Sequence, residues 1–229
     1  LFIVKFIHHQ KIKSLVTTRP SLDWRRVAFS FSLVSFFALL SFGLDLYFFP
    51  EKYEWNFVLD KFLILFLIAV LMIPLQTTAE ELLFRGYFMQ GLGLLAKNRW
   101  LPLILTSVIF GLLHGANPEV EKLGYISMVF YIGTGLFYGV TTLMDEGTEL
   151  ALGLHAINNI IAAFFVTTDW MVFQTDALFI DTSEPSVGFE MFFPVLVLYP
   201  LLLFVFSKKY GWSNWVEKLT GKIEVPLNI

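Results

Sequence analysis

The sequence contains no cysteine and few charged residues. The absence of cysteine from the 229 residues excludes disulfides, thiolate nucleophiles and cysteine metal sites. Only 15% of the residues are charged and 56% are hydrophobic, so the chain has too little polar surface to enclose its apolar residues in water. A net charge of −3 gives no basis for nucleic-acid binding. Lipids must therefore be part of its surroundings.

The chain has long apolar runs instead. An apolar helix needs roughly 20 residues to cross the hydrocarbon core of a bilayer, and segments near that length recur between short polar breaks. They lie at about 27–48, 57–78, 81–96, 100–115, 123–144, 149–167 and 190–207. The sequence therefore predicts an all-α membrane helix bundle with seven to eight transmembrane helices.

Lysine and arginine are concentrated near the two ends of the printed sequence. Cytoplasmic segments next to membrane helices carry an excess of these residues. We therefore predict a basic cytoplasmic segment at 1–26, one multi-pass membrane domain at 27–207 and a cytoplasmic tail at 208–229. Both ends are then expected on the cytoplasmic side of a cell membrane.

Two cytoplasmic ends require an even number of crossings, yet seven apolar segments are found. The segment at 81–96 is the shortest and most polar, and Arg85, Gly86, Gly91 and Gly93 interrupt it, so it is expected not to span. A helix hidden in residues 1–23 is the alternative. Broken backbone at membrane depth is tolerated only where protein or a wet cavity covers it, which would suit an active site.

Three polar clusters lie in, or at the edge of, the apolar runs. A charge at the centre of a spanning helix costs about 2.5–3.5 kcal/mol on insertion scales, so such residues require a partner or a function. The clusters are Ala79-Glu80-Glu81-Leu82-Leu83-Phe84-Arg85-Gly86, Phe110-Gly111-Leu112-Leu113-His114-Gly115 and Gly153-Leu154-His155-Ala156-Ile157-Asn158-Asn159.

Helical spacing assigns different surroundings to the two adjacent carboxylates. Residues four apart lie about 40° apart around a helix, and neighbours lie about 100° apart. Glu81 can therefore pair with Arg85, while Glu80 points elsewhere and can face a cavity. By the same spacing, His155 and Asn159 share one face of their helix.

If the helices converge, these side chains can form a hydrolytic site without a covalent nucleophile. Glu80 would act as general base on a water, and His114 would hold that water or shuttle its proton. His155 with Asn159 would donate hydrogen bonds to the oxyanion. The structural alternative is that Glu81 and Arg85 only pair, that Phe110 only packs, and that the histidines and Asn159 only link helices.

The same residues resemble a known family, the CPBP intramembrane proteases, which includes CAAX prenyl endopeptidases and bacteriocin-processing or immunity proteins. Its motif Glu-Glu-x-x-x-Arg matches Glu80, Glu81 and Arg85, its motif Phe-x-x-x-His matches Phe110 and His114, and its motif His-x-x-x-Asn matches His155 and Asn159. The matched region spans roughly residues 57–167.

The resemblance implies a fold of about eight helices around a conical intramembrane cavity, and a glutamate-type endopeptidase. It implies Glu80 as base, His114 as its partner on water, and His155 with Asn159 as the oxyanion site. Glu81, Arg85 and Phe110 would support these residues. The expected partners are membrane lipids and a peptide or membrane-protein substrate, either prenylated or a leader peptide, and no cofactor is expected.

Three alternatives remain open at the level of the sequence. Glu80, His114 and His155 are also three plausible zinc ligands that leave a position for water, although no His-Glu-x-x-His motif is present. A non-catalytic binding or immunity protein would not need the complete set of Glu80, His114, His155 and Asn159. A proton-coupled transporter would use buried Glu and His as a relay, but no symmetric halves are visible.

Overall fold

The computed structural model of the chain describes residues 1–224, and its apolar segments are helices. The last five positions of the tail predicted at 208–229 lie outside the described residues. The α-helices are α1 (Trp24–Phe48), α2 (Leu59–Glu81), α3 (Met89–Ala96), α4 (Trp100–Leu112), α5 (Pro118–Leu123), α6 (Met128–Asp145), α7 (Glu149–Phe164), α8 (Phe189–Phe193), α9 (Tyr199–Tyr210) and α10 (Trp215–Thr220). Wider π-helical turns form at Ile3–Ile7, Leu82–Phe88 and Pro194–Leu198, and 3₁₀ turns at Ile12–Leu15, Pro50–Lys52 and Tyr125–Ser127.

Helices α2 and α3 are parts of one continuous helix, Leu59–Ala96, which is 38 residues long. Residues 81–96 are therefore not a separate segment, and that they do not span the membrane on their own stays a prediction. A glycine costs a helix only about 1 kcal/mol relative to alanine, and in lipid every backbone group must find a partner within the protein. Gly86 serves close packing instead, since a Cβ there would lie 2.6 Å from the carbonyl oxygen of Leu15.

This merger changes the number of apolar helices. Four helices are long and apolar enough to cross a membrane, namely Trp24–Phe48, Leu59–Ala96, Tyr125–Asp145 and Phe189–Tyr210, and two shorter apolar helices are α4 and α7. Six apolar helices thus replace the seven segments of the sequence, and no helix is hidden in residues 1–23, which form only short turns. The number of crossings stays a prediction. The predicted all-α membrane bundle is confirmed.

Helix α7 lies at the centre of the bundle, and α1, α2 and α6 pack against it. Most of its residues are buried, although it is only 16 residues long. Gly153 permits the close contact with α1, because a Cβ at this position would lie 2.3 Å from the carbonyl oxygen of Val27. Helix α4 also packs against α6. The second and third polar clusters of the sequence are thus brought to two helices that both contact α6.

The two ends of the bundle differ in structure. At the sheet end, which comprises residues 49–58, 113–127 and 165–188, β1 (Tyr53–Trp55) pairs antiparallel with β3 (Phe179–Asp181), and β2 (Val166–Thr167) pairs parallel with β3. Burial and a hydrogen bond to Asp45 raise the pKa of the Tyr53 hydroxyl well above its usual value.

At the basic end, which comprises residues 1–23, 97–99, 146–148 and 211–224, the chain before α1 is tied to the turn between α6 and α7. Asp145 is buried there and forms ion pairs of 2.9 Å with Arg19 and 2.7 Å with Arg26. The indole of Trp212 donates a further hydrogen bond to Asp145. The segments before α1 and after α9 therefore meet at one end of the bundle.

Candidate active site

The centre of the site is a buried carboxylate with two partners. Glu81, near the middle of the long helix, accepts a hydrogen bond of 2.9 Å from Arg85 and one of 2.8 Å from Nδ1 of His155 on α7. The side chains of Glu81 and Arg85 are fully buried. The predicted pair between Glu81 and Arg85 is therefore present, and the contact with His155 joins the first and third sequence clusters.

Arg85 is held by the protein on several sides. Its second guanidinium nitrogen donates to the backbone carbonyl of Gly135 on α6 at 3.0 Å, and its guanidinium carbon lies 4.4 Å from the centroid of the Phe110 ring. Such cation–π contacts are strongest where water is excluded. Phe110 thus covers the ion pair.

Glu80 has different surroundings from its neighbour. Its side chain is 29% exposed, and Oε2 lies 3.8 Å from Nε2 of His155. Gln76, one turn earlier, donates to the other carboxylate oxygen at 2.6 Å. The separation of the two carboxylates that helical spacing predicts is therefore observed, and Glu80 is the more accessible of the two.

The contacts of His155 assign the proton on its imidazole ring. The Glu81 carboxylate bonded to Arg85 can only accept a hydrogen bond, so Nδ1 of His155 must carry the hydrogen. Its Nε2 then faces Glu80. The imidazole is itself buried, which fixes this orientation.

His114 lies just beyond the end of α4 and is half-buried. Its Nδ1 lies 2.8 Å from the carbonyl oxygen of Phe110, which can only accept, so Nδ1 carries the hydrogen and Nε2 is the free nitrogen. The Phe110 ring contacts both histidines, with centroid distances of 4.8 Å to His114 and 5.9 Å to His155. Phe110 therefore connects the second cluster to the other two.

Asn159 makes no hydrogen bond to the other residues of the site within residues 1–224. It lies one turn beyond His155 on α7 and is half-buried. In residues 1–224, its side chain is bonded only to the neighbouring Asn158, at 3.4 Å. The structure thus leaves its amide free of the other site residues.

Some neighbours of the site were not found by sequence reasoning. Gln76 could have been found, because it precedes Glu80 by four residues and so shares its helix face. Tyr138, whose ring centroid lies 5.1 Å from that of His155, and Tyr131, which stacks on His114 at 4.6 Å, carry no such signal. Both belong to α6, and only the packing of α6 against α4 and α7 brings them to the site.

The surroundings of the site bear on two further expectations. In the described part of the chain, no group of three His, Asp or Glu residues is placed to hold a metal ion. One concave pocket lies between the start of α4 and α10, and another lies on residues 5–12. Neither pocket contains a residue of the site, so the conical cavity stays a prediction.

The fold and the site together define a helical membrane protein in which a Glu–Arg–His cluster is buried inside the bundle and a second Glu is partly accessible. Residues 59–161 match the family described as type II CAAX prenyl endopeptidase Rce1-like. This match confirms the resemblance to the CAAX prenyl endopeptidases. The matched residues contain all three motifs.

One curated relative extends the similarity beyond this region. The chain is 31% identical over 199 residues to the uncharacterized protein YyaK of Bacillus subtilis (strain 168), and the alignment covers 85% of this chain and 65% of that protein. The chain thus spans just under two thirds of the length of its relative. No solved structure matches the chain.

Proposed function

We propose that the chain is an intramembrane endopeptidase that hydrolyses a peptide bond with a water activated by Glu80. The observation that carries the proposal is the contrast between two adjacent carboxylates. Glu81 is buried and bonded to Arg85 and His155, while Glu80 is 29% exposed beside the same imidazole. A carboxylate that is accessible, and positioned by a buried neighbour, is suited to act as general base.

His114 is the second proposed group on the water. Because its Nδ1 is bonded to the carbonyl of Phe110, its Nε2 can accept a hydrogen bond from water or take its proton. The Phe110 ring holds His114 on the same side of the bundle as His155. Glu80 and His114 would then activate the water from two helices.

His155 and Asn159 are proposed to stabilise the oxyanion that forms at the scissile carbonyl. For His155 to donate from Nε2, the ring must carry both protons, and the resulting cation would lie between the carboxylates of Glu81 and Glu80. Asn159 can add a donor from one turn away on α7. Removal of one oxyanion donor typically lowers kcat by about 10²–10³-fold.

The proposed substrate is a peptide or a membrane protein, either prenylated or a leader peptide. Family similarity supports a peptide substrate in a membrane setting. We further propose a cell-membrane protein with both described ends in the cytoplasm, since lysines and arginines predominate at the basic end.

A peptidase assay in detergent tests the proposal. Prenylated and unprenylated peptides are offered to the wild type, Glu80→Gln and His114→Ala, with Glu51→Gln and His9→Ala as matched controls at exposed positions far from the site. We expect both site variants to lose at least ~100-fold in kcat and both controls to retain activity. Equal turnover in wild type and site variants would refute the site.

Two rivals give different outcomes in the same assay. A zinc peptidase would lose activity on chelation and regain it with added zinc, whereas the proposed mechanism predicts full activity in metal-free protein. A non-catalytic binding protein would show no turnover with any peptide, and Glu80→Gln would leave its cellular role unchanged.

A further inference from the structure

A second polar cluster lies next to His114. Tyr131 of α6 stacks on the His114 imidazole, with a centroid distance of 4.6 Å and an angle of 20° between the rings. A stacked ring restricts rotation of the imidazole about its side-chain bonds, while the Phe110 carbonyl fixes the direction of Nδ1. Tyr131 thus supplies the contact that holds the plane of the ring.

The sequence of α4 allows this stack to form. Gly111 lies one turn before His114, and a Cβ there would be 2.9 Å from the backbone nitrogen of Ile132 and 2.4 Å from its Cγ1. Glycine therefore lets the α6 backbone approach α4 closely at the residue next to Tyr131. This approach brings the Tyr131 ring to His114.

The hydroxyl of Tyr131 is anchored at the sheet end. Asn117 donates a hydrogen bond of 3.1 Å to it, and the Glu119 carboxylate lies beside it. Glu119 is 6% exposed, and its Oε1 accepts a bond of 3.1 Å from the backbone N–H of Val172 in the loop between β2 and β3.

The two oxygens of the Glu119 carboxylate have different surroundings. Within residues 1–224, Oε2 is buried without a hydrogen-bond partner. A buried carboxylate that is only half satisfied costs free energy, and the Tyr131 hydroxyl is the neighbouring group with a proton to donate. A hydrogen bond from the Tyr131 hydroxyl to this carboxylate would therefore hold Tyr131 in place.

We propose that Tyr131, anchored by Glu119 and Asn117, is a positioning residue that fixes the His114 imidazole for catalysis. This inference rests on the proposed function, because it assigns His114 to the activation of water. Tyr131 acts through His114 and touches no reacting atom. Glu119 acts one step further away, through the Tyr131 hydroxyl.

Two measurements test the proposal, and one of them needs no turnover. The rate at which diethyl pyrocarbonate modifies His114, followed by mass spectrometry, reports how tightly the imidazole is held. We expect faster modification in Tyr131→Leu and a smaller increase in Tyr131→Phe, which retains the ring but not the anchor. Tyr125→Leu, at a tyrosine that is 84% exposed in the same region, is the matched control and should react like wild type.

The kinetic measurement separates positioning from binding. In Tyr131→Leu we expect kcat to fall about 10–100-fold with KM unchanged, and Tyr131→Phe should recover most of the loss. Glu119→Gln should lower kcat on its own but add nothing in the Tyr131→Phe background, because both act through the same hydroxyl. Additive effects of the two substitutions would overturn the role of Glu119.

The outcomes distinguish the inference from the proposed function. If wild type hydrolyses no peptide, the proposed function fails, while the reactivity of His114 still decides whether Tyr131 fixes the ring. If Tyr131→Leu does not fold, the same two measurements on Tyr131→Phe and Glu119→Gln test the inference. Unchanged modification of His114 in the folded Tyr131 variants would overturn the inference.

Discussion

Substitution of adjacent residues on one helix can change the stability of the protein to very different extents, as Glu80 and Glu81 illustrate. Glu81→Gln would leave the buried Arg85 guanidinium without its counter-charge, and breaking a buried pair costs about 3–5 kcal/mol. We therefore expect a large drop in the thermal unfolding midpoint of Glu81→Gln in detergent. The measurement is thermal unfolding of the purified variant beside wild type.

The matched control for this prediction is Glu80→Gln, one residue away. Glu80 is 29% exposed, so its substitution should abolish activity while it leaves the midpoint close to that of wild type. Similar midpoints for the two variants would contradict the structural difference between these carboxylates.

The residue-level predictions from the sequence succeeded where they depended on one helix. Spacing alone separates Glu80 from Glu81 and pairs Glu81 with Arg85, because the helix fixes these angles. The bond from His155 to Glu81 could not be predicted in this way. It joins residues 74 positions apart and depends on how α7 packs against the long helix.

At the level of the helices, glycines decide which surfaces come close. Gly111→Ala would place a Cβ 2.9 Å from the backbone nitrogen of Ile132, and backbone atoms of α6 cannot move aside without shifting the helix. Overpacking of this kind typically costs about 1–3 kcal/mol. We expect a lower unfolding midpoint and a loss of activity, because α4 carries His114.

Gly91→Ala is the control for this prediction, since nothing lies within 4 Å of a Cβ at that position. Alanine is the better helix former by about 1 kcal/mol, so Gly91→Ala should be neutral or slightly stabilising in the same unfolding measurement. If Gly111→Ala were equally harmless, the close contact between α4 and α6 would be wrong.

Glycines also explain why the sequence divided the long helix into two segments. Gly86, Gly91 and Gly93 favour a break when the segment is considered alone, and this led to the expectation of a separate segment at 81–96. In the structure, the Leu15 backbone packs closely against Gly86, and the helix continues through this residue. Composition predicted the class of fold correctly. Whether a glycine breaks a helix or allows close packing depends on a neighbour that is distant in the sequence.

The whole molecule has two chemically distinct ends. Lysines and arginines flank the helices at the basic end, while Glu51, Glu54, Asp169 and Asp176 lie at the sheet end. His114 and the Tyr131 cluster lie toward the sheet end, and the chain before α1 packs on the long helix at Gly86, beyond Glu80 toward the basic end. The orientation in the membrane therefore determines which compartment lies closer to each part of the site.

The absence of cysteine makes this orientation testable. Single cysteines are introduced at exposed positions, Glu54→Cys at the sheet end, Lys11→Cys at the basic end and Lys208→Cys in the last turn of α9, next to the basic end. With the positively charged end in the cytoplasm, a membrane-impermeant maleimide should label Glu54→Cys in intact cells. It should label the other two only after the membrane is permeabilised, and wild type should stay unlabelled throughout. Labelling of Lys11→Cys or Lys208→Cys in intact cells would contradict a cytoplasmic basic end. If both were labelled in intact cells and Glu54→Cys were not, the sheet end would lie in the cytoplasm.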